Sequence, residues 1–89
     1  MRALIHTSRF RKDYKKRRHD PKLDELLGAV LDLLVTGQIL PPQWRDHALV
    51  GEFKGCRECH LKPALLLIYE VAGGEVVLRR LGSHSELFE

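Results

Sequence analysis

Ala64-Leu65-Leu66-Leu67-Ile68-Tyr69 is a run of six apolar side chains, and its reading decides the fold. It is apolar at odd and even positions alike. As a strand it must be covered on both faces, which places it in the middle of a sheet. Lys62-Pro63 before it and Ala72-Gly73-Gly74 after it are turn-like breaks. Outward from there, strands are predicted over Leu49 to Phe53, Cys56 to Leu61, Ala64 to Val71 and Glu75 to Leu81, with Lys54-Gly55 breaking the first pair. Consecutive strands with short turns make an antiparallel meander.

The N-terminal half reads differently. Arg2 to His6 suits a short first strand, and Thr7 and Ser8 offer a hydroxyl cap for a helix running to about His19, with Phe10 and Tyr14 on one side. Asp20-Pro21 then starts a second helix. Its residues Leu23, Leu26, Leu27, Val30, Leu31 and Leu34 recur at helical steps, and Gly37 is placed to end it. Pro41-Pro42 marks an ordered loop anchored by Trp44. The fold class is α+β: a short N-terminal strand, two helices covering one face, then the C-terminal meander. At 89 residues, 1–89 form a single domain with room for one core.

A composition of 44% hydrophobic and 30% charged residues is that of a folded chain rather than a disordered one. The net charge of +3 understates its asymmetry, because seven of the ten residues from Arg9 to Arg18 are basic. One face is strongly positive, which suits a polyanionic partner. No signal-peptide core or bilayer-length apolar run is present, so a cytoplasmic protein without membrane contact is expected. Cys56 and Cys59 are accordingly read as reduced thiols at buried or edge positions. The sequence Cys56-Arg57-Glu58-Cys59-His60 has the spacing of a haem-attachment signature. On a strand, however, alternation sends Cys56, Glu58 and His60 to one face and Arg57 and Cys59 to the other, so the sulfurs diverge. A zinc site would need four ligands, and there is no second compact pair.

Three histidines, His47, His60 and His84, fall at strand ends or adjoining loops. Imidazole both takes and gives protons near neutral pH, and RNA cleavage needs both: removal of the 2′-hydroxyl proton and protonation of the 5′-oxygen. Glu58, on the face of His60, either orients that imidazole or forms a plain cross-strand pair. Arg80, expected on the face of Val76 and Leu78, either holds a phosphate or forms an ion pair at the core rim. His84 and Phe88 stand four apart, and Phe88 either stacks on a nucleobase or plugs the core.

Taken together, Asp46-His47-Ala48-Leu49, Gly51-Glu52-Phe53-Lys54-Gly55, Arg57-Glu58-Cys59-His60, Leu67-Ile68-Tyr69 and Gly82-Ser83-His84-Ser85-Glu86-Leu87-Phe88 resemble the YafQ branch of the RelE superfamily of bacterial toxins, over essentially the whole chain. The resemblance implies a microbial-ribonuclease-type sheet and a ribosome-dependent endoribonuclease that cuts mRNA in the decoding site. It also implies a cognate antitoxin that folds around the toxin. By position, His47, His60 and His84 match active-site histidines, with His84 the leading candidate for general acid. Glu58 matches a neighbouring acidic position and Phe88 the terminal aromatic. Lys54 and Arg80 would stabilise the phosphorane, with Arg57 also contacting RNA. No cofactor or metal is implied, because the 2′-hydroxyl is itself the nucleophile.

Two positions depart from the pattern. Ala64 stands where an aspartate is common, and Cys56 where an aromatic is frequent. Alanine takes no proton, so the chain is either a naturally weakened enzyme or an inactivated form in which a poisonous protein can be produced. Ala64 also leaves room for a different class of function, a non-catalytic basic module that binds nucleic acid or an antitoxin. The DNA-gyrase-directed ParE-type toxins share the fold but lack the histidine set, which argues for RNA.

Overall fold

A computed structural model describes residues 1–88. Its strands are β1 (Ala3–His6), β2 (His47–Ala48), β3 (Arg57–Lys62), β4 (Leu65–Ala72) and β5 (Glu75–Gly82), and its helices are α1 (Ser8–Arg17), α2 (Leu23–Val35) and α3 (His84–Phe88). The strands form one sheet in the order β1-β5-β4-β3-β2. The meander β2 to β5 is antiparallel, and β1 pairs parallel with β5 at the far edge. β4 sits in the centre, with Leu65 to Tyr69 buried on both faces, as the opening run requires.

Local chemistry sets the helix ends. The Thr7 hydroxyl accepts from Phe10 N at 3.2 Å and donates to Leu78 O at 2.7 Å, capping α1 and stitching its start to β5. α1 stops at Arg17, two residues short of the expected end, and Asp20 N closes a turn on Arg17 O at 2.9 Å. The proline at position 21 disfavours helical backbone at Asp20, which explains the early stop. Asp20 still acts as a cap, one turn ahead of α2: its carboxylate accepts from Lys22 N at 2.9 Å. Gly37, at φ 75°, ends α2 with Gly37 N on Leu34 O and Gln38 N on Leu33 O, a Schellman closure.

The two faces of the sheet differ. One is covered by α1 and α2, where Phe10, Leu23, Leu27, Val30 and Leu34 meet Cys59, Leu67, Tyr69, Val76 and Leu78 in the main core. The other carries only a small cluster, Cys56, Leu66, Ile68 and Leu87, edged by Leu49 and Phe53. Trp44 is buried, as its role as loop anchor requires. The expected strand over Leu49 to Phe53 is corrected. β2 is two residues long, and after Leu49 N bonds Cys56 O at 3.0 Å the chain turns through a short 3-10 segment, Gly51–Phe53. Gly51 takes φ 72°, a left-handed value that a strand does not allow.

Candidate active site

The sparsely covered face carries the titratable groups. β2 pairs with β3 so that His47 lies opposite Glu58, and His60 follows two residues along on the same face. The His47 and His60 rings are 6.4 Å apart. Glu58 is 5% exposed; its Oε2 lies 3.3 Å from His47 Nε2, and its Oε1 is buried without a partner. Glu58 therefore pairs across the strands with His47, rather than orienting His60. His47 Nδ1 lies 3.0 Å from Arg45 O. The ring is thus set between a backbone carbonyl and a carboxylate. His60 is half-buried, and its Nδ1 is buried and unpartnered.

A two-residue strand is little to hold the His47 side chain in place, and the neighbouring Asp46 supplies the anchor. Its Oδ2 accepts from Arg57 Nε at 3.0 Å and Nη2 at 2.8 Å, and its Oδ1 from the Tyr69 hydroxyl. Burial, and then the Asp46 carboxylate, push the Tyr69 hydroxyl well above its usual range; the Asp46 hydrogen bond raises Arg57 likewise. Arg57, a candidate RNA contact, lies on the helix-covered face, opposite Tyr69 on β4, with its half-exposed guanidinium tied to Asp46.

His84 belongs to a second group. α3 carries a reciprocal cap, with Ser83 N donating to Glu86 Oε1 at 2.7 Å and Glu86 N to Ser83 Oγ at 3.3 Å. Arg17 also binds Glu86, fastening α3 to α1. The backbone N–H of Ser83 and the Arg17 guanidinium hold the Glu86 carboxyl down at about 2. Leu87 inserts into the Leu66–Ile68 cluster, setting α3 on the same face as Glu58 and His60. The His84 ring lies 4.8 Å from Phe88, which meets Phe53 edge-on at 5.6 Å. Among the described residues, the ring contacts of His84 are to Phe88 and not to His47 or His60. The register nevertheless runs His60, Leu66, Gly82 across three neighbouring strands. Two strand spacings, roughly 10 Å of backbone, thus separate His60 from Gly82, two residues before His84.

Arg80 reaches this face by an irregularity. Ile68 pairs with Arg80 but Tyr69 with Leu78, so Arg79 is an extra residue and the alternation slips. Arg80 therefore does not share the face of Val76 and Leu78. Its Nε donates to Asp13 Oδ2 at 2.7 Å, and the same oxygen accepts from Leu81 N at 3.0 Å. The core-rim ion pair is present, and the bond to Asp13 raises the Arg80 pKa. The guanidinium also borders a cleft of about 250 Å³ with Arg9, Arg79, Glu52 and Phe53. Lys54 is exposed just past the Gly51–Phe53 turn. Ala64 is exposed at the tip of the β3–β4 hairpin, where its methyl offers no proton acceptor.

Arg9, Arg11, Lys12, Lys15 and Lys16 on α1, and Arg18 just past its end, are all exposed, which gives the positive face the sequence predicts. Cys56 and Cys59 are free thiols, buried in the small cluster and the main core respectively. Burial pushes the Cys59 thiol up to about 12. Among the described residues no group of three His, Cys, Asp or Glu side chains is placed to hold a metal ion. No helix among them is long and apolar enough to cross a membrane. Sequence reasoning missed Asp13, Asp46 and Arg45, whose partners are distant in sequence or set by backbone geometry.

Comparison with known proteins gives a consistent result. Residues 2–89 match the family model of the YafQ bacterial toxin of type II toxin-antitoxin systems. The chain is 31% identical over 88 residues to the mRNA interferase toxin YafQ of Escherichia coli strain K12, covering 98% of this chain and 96% of that protein. A copper-bound mutant toxin from Helicobacter pylori superposes with a TM-score of 0.93 at 44% identity, over 99% of this chain and 100% of that one. The toxin of the E. coli DinJ-YafQ complex superposes with a TM-score of 0.88 at 30% identity, over the full length of both chains.

Proposed function

This chain belongs to the YafQ family of type II toxin-antitoxin toxins, and from that premise we propose that residues 1–89 are one toxin domain that cleaves mRNA on the ribosome in the cytoplasm and is neutralised by a cognate antitoxin. The observation that carries this reading is the pair of histidine groups on one open face, His47–Glu58–His60 on one side and His84–Phe88 on the other. Cleavage by the 2′-oxygen expels the 5′-oxygen in line, so base and acid must approach the phosphorus from opposite sides. Two groups on one face, on either side of the central strand, suit that demand.

In this mechanism His60 Nε2 takes the 2′-hydroxyl proton. The 2′-oxygen bonds to phosphorus, and the P–O5′ bond breaks as His84 gives its proton to the 5′-oxygen. The products are a 2′,3′-cyclic phosphate and a free 5′-hydroxyl. No water or metal enters the balance. His47, held between Arg45 O and Glu58, stands beside His60 and lines the same face. Arg80, fixed by Asp13, and Lys54 stabilise the charge growing on the phosphorane, and Phe88 offers a face on which a base stacks. The exposed cations of α1 bind phosphates, or an acidic stretch of the antitoxin.

Ala64 makes this chain a weakened form of the enzyme. A carboxylate there would stand at the hairpin tip beyond His60, placed to take or relay the proton His60 removes. Primer extension on ribosome-bound mRNA tests the reading. Exchanging His60 or His84 for Gln in a chain with the carboxylate restored should lower cleavage by about 10²- to 10⁴-fold while ribosome affinity holds. A pure binding module would show no such change.

A further inference from the structure

We propose that the cavity beside His60 is a nucleobase pocket, occupied by a base of the message next to the cleaved phosphate; this rests on the ribonuclease reading. The cavity is about 240 Å³ and lies between the Pro42–Trp44 turn and the end of β3. Leu26, Trp44 and Pro63 supply apolar wall, His60 closes one side, and the Gln43 and Arg45 side chains are polar groups at its rim. That is the make-up of a site for a flat heterocycle: apolar surface for its faces, and a few donors and acceptors for its edge. Gln43 offers both donor and acceptor, and Arg45 offers a fixed fork of donors.

The rim is held in place. Trp44 N donates to Pro41 O at 3.1 Å and Arg45 N to Pro42 O at 3.0 Å, so the turn is closed by its own backbone. Trp44 is 7% exposed and pins it to the core. Arg45 takes the left-handed φ of 51°, uncommon for a residue with a side chain and a frequent mark of a functional loop. Its carbonyl meets His47 Nδ1 at 3.0 Å. The residue at the pocket rim is thus bonded to one active-site histidine while the cavity wall contains another. A base seated there fixes the ribose and phosphate attached to it near His60.

Short RNAs made uncleavable by a 2′-O-methyl group test the pocket without turnover. The trinucleotides differ only in the central base, with one abasic at that position, and binding is followed through the Trp44 indole, Gln43 carboxamide and His60 resonances. We expect these signals to move, and at least one base to bind about tenfold more tightly than the abasic ligand. Gln43→Ala should remove the base-dependent part and leave the abasic affinity. Arg45→Gly should do the same, because glycine keeps the left-handed turn without the guanidinium. Equal affinity for all ligands, or shifts confined to the basic face of α1, would overturn the pocket.

A ribosome arm separates the pocket from the nuclease reading and the message from ribosomal RNA. In an active background Gln43→Ala should flatten the cleavage profile across codons. An unchanged profile, or a uniform loss at every codon, overturns the assignment to a message base while the nuclease reading stands. Base-selective binding with no cleavage in any background would sink the nuclease reading and leave the pocket.

Discussion

The two faces of the sheet have opposite characters. Against the helices, Leu67, Val76 and Leu78 are fully buried among other apolar side chains, and the charges at the edge of this core are paired: Asp46 with Arg57 and Tyr69, Asp13 with Arg80 and Leu81 N. On the other face a much smaller cluster shares its surface with Glu58, whose Oε1 has no partner, and with His60, whose Nδ1 has none. A buried polar atom without a hydrogen bond is costly, and such sites persist where something other than stability is selected. The lesson is a division across one strand thickness: adjacent residues of β3 and β4 belong alternately to the main core and to the face of the candidate site.

The largest expected effect lies on the open face. Ala64→Asp should raise ribosome-dependent cleavage by about 10²- to 10⁴-fold and move the folding midpoint hardly at all, since the position is an exposed turn. Next comes the covered face. Leu67→Ala should cost about 2–5 kcal/mol in denaturant unfolding, the usual toll of truncating a fully buried leucine. A value under about 1 kcal/mol would show that the main core is not where the stability resides.

Glu58→Gln sharpens the contrast. On the covered face such a loss of charge would destabilise; here, because Glu58 is 5% exposed with one oxygen unpaired, stability should hold or rise by about 1 kcal/mol while cleavage falls. A stability loss as large as that of Leu67→Ala would contradict the division. Cys59, held at about 12 by burial in the main core, should resist alkylation in the folded state and react only on unfolding.

The smallest effect concerns Glu86. Its folded pKa, about 2, lies below the unfolded value of 4.5, so its contribution is present above pH 4.5 and is lost as the pH falls toward 2. The side chain is 45% exposed, and solvent screening keeps the contribution below about 1 kcal/mol. Glu86→Gln should flatten the acid limb of a stability-versus-pH curve by that amount; an unaltered limb would mean α3 is held by Leu87 alone.

Much of this was legible in the sequence because it depends on local pattern. The doubly apolar run from Leu65 to Tyr69 placed β4 in the centre, leucine spacing placed α2, and Gly37 ended it. Alternation on β3 put Glu58 and His60 together and parted the two cysteines. What escaped depends on partners that pattern does not encode. The register shift after Ile68 moved Arg80 to the open face, and Asp13, sixty-seven residues away in sequence, determined where its guanidinium sits. Glu58 found His47 rather than His60 because β2, too short to stand out as a strand, pairs directly opposite it. Leu49 to Phe53 has the composition of a strand, and only the left-handed Gly51 reveals the turn. The pocket rim escaped for a related reason: Pro41-Pro42 announced a loop but not the left-handed Arg45 that follows.

Primer extension on ribosome-bound mRNA, comparing Ala64→Asp with the double variant Ala64→Asp/His84→Gln, bears most directly on the open face as a ribonuclease site. Strong cleavage by the first chain and its loss by at least about a hundredfold in the second is the predicted result. No cleavage by the first, or equal cleavage by both, would contradict it.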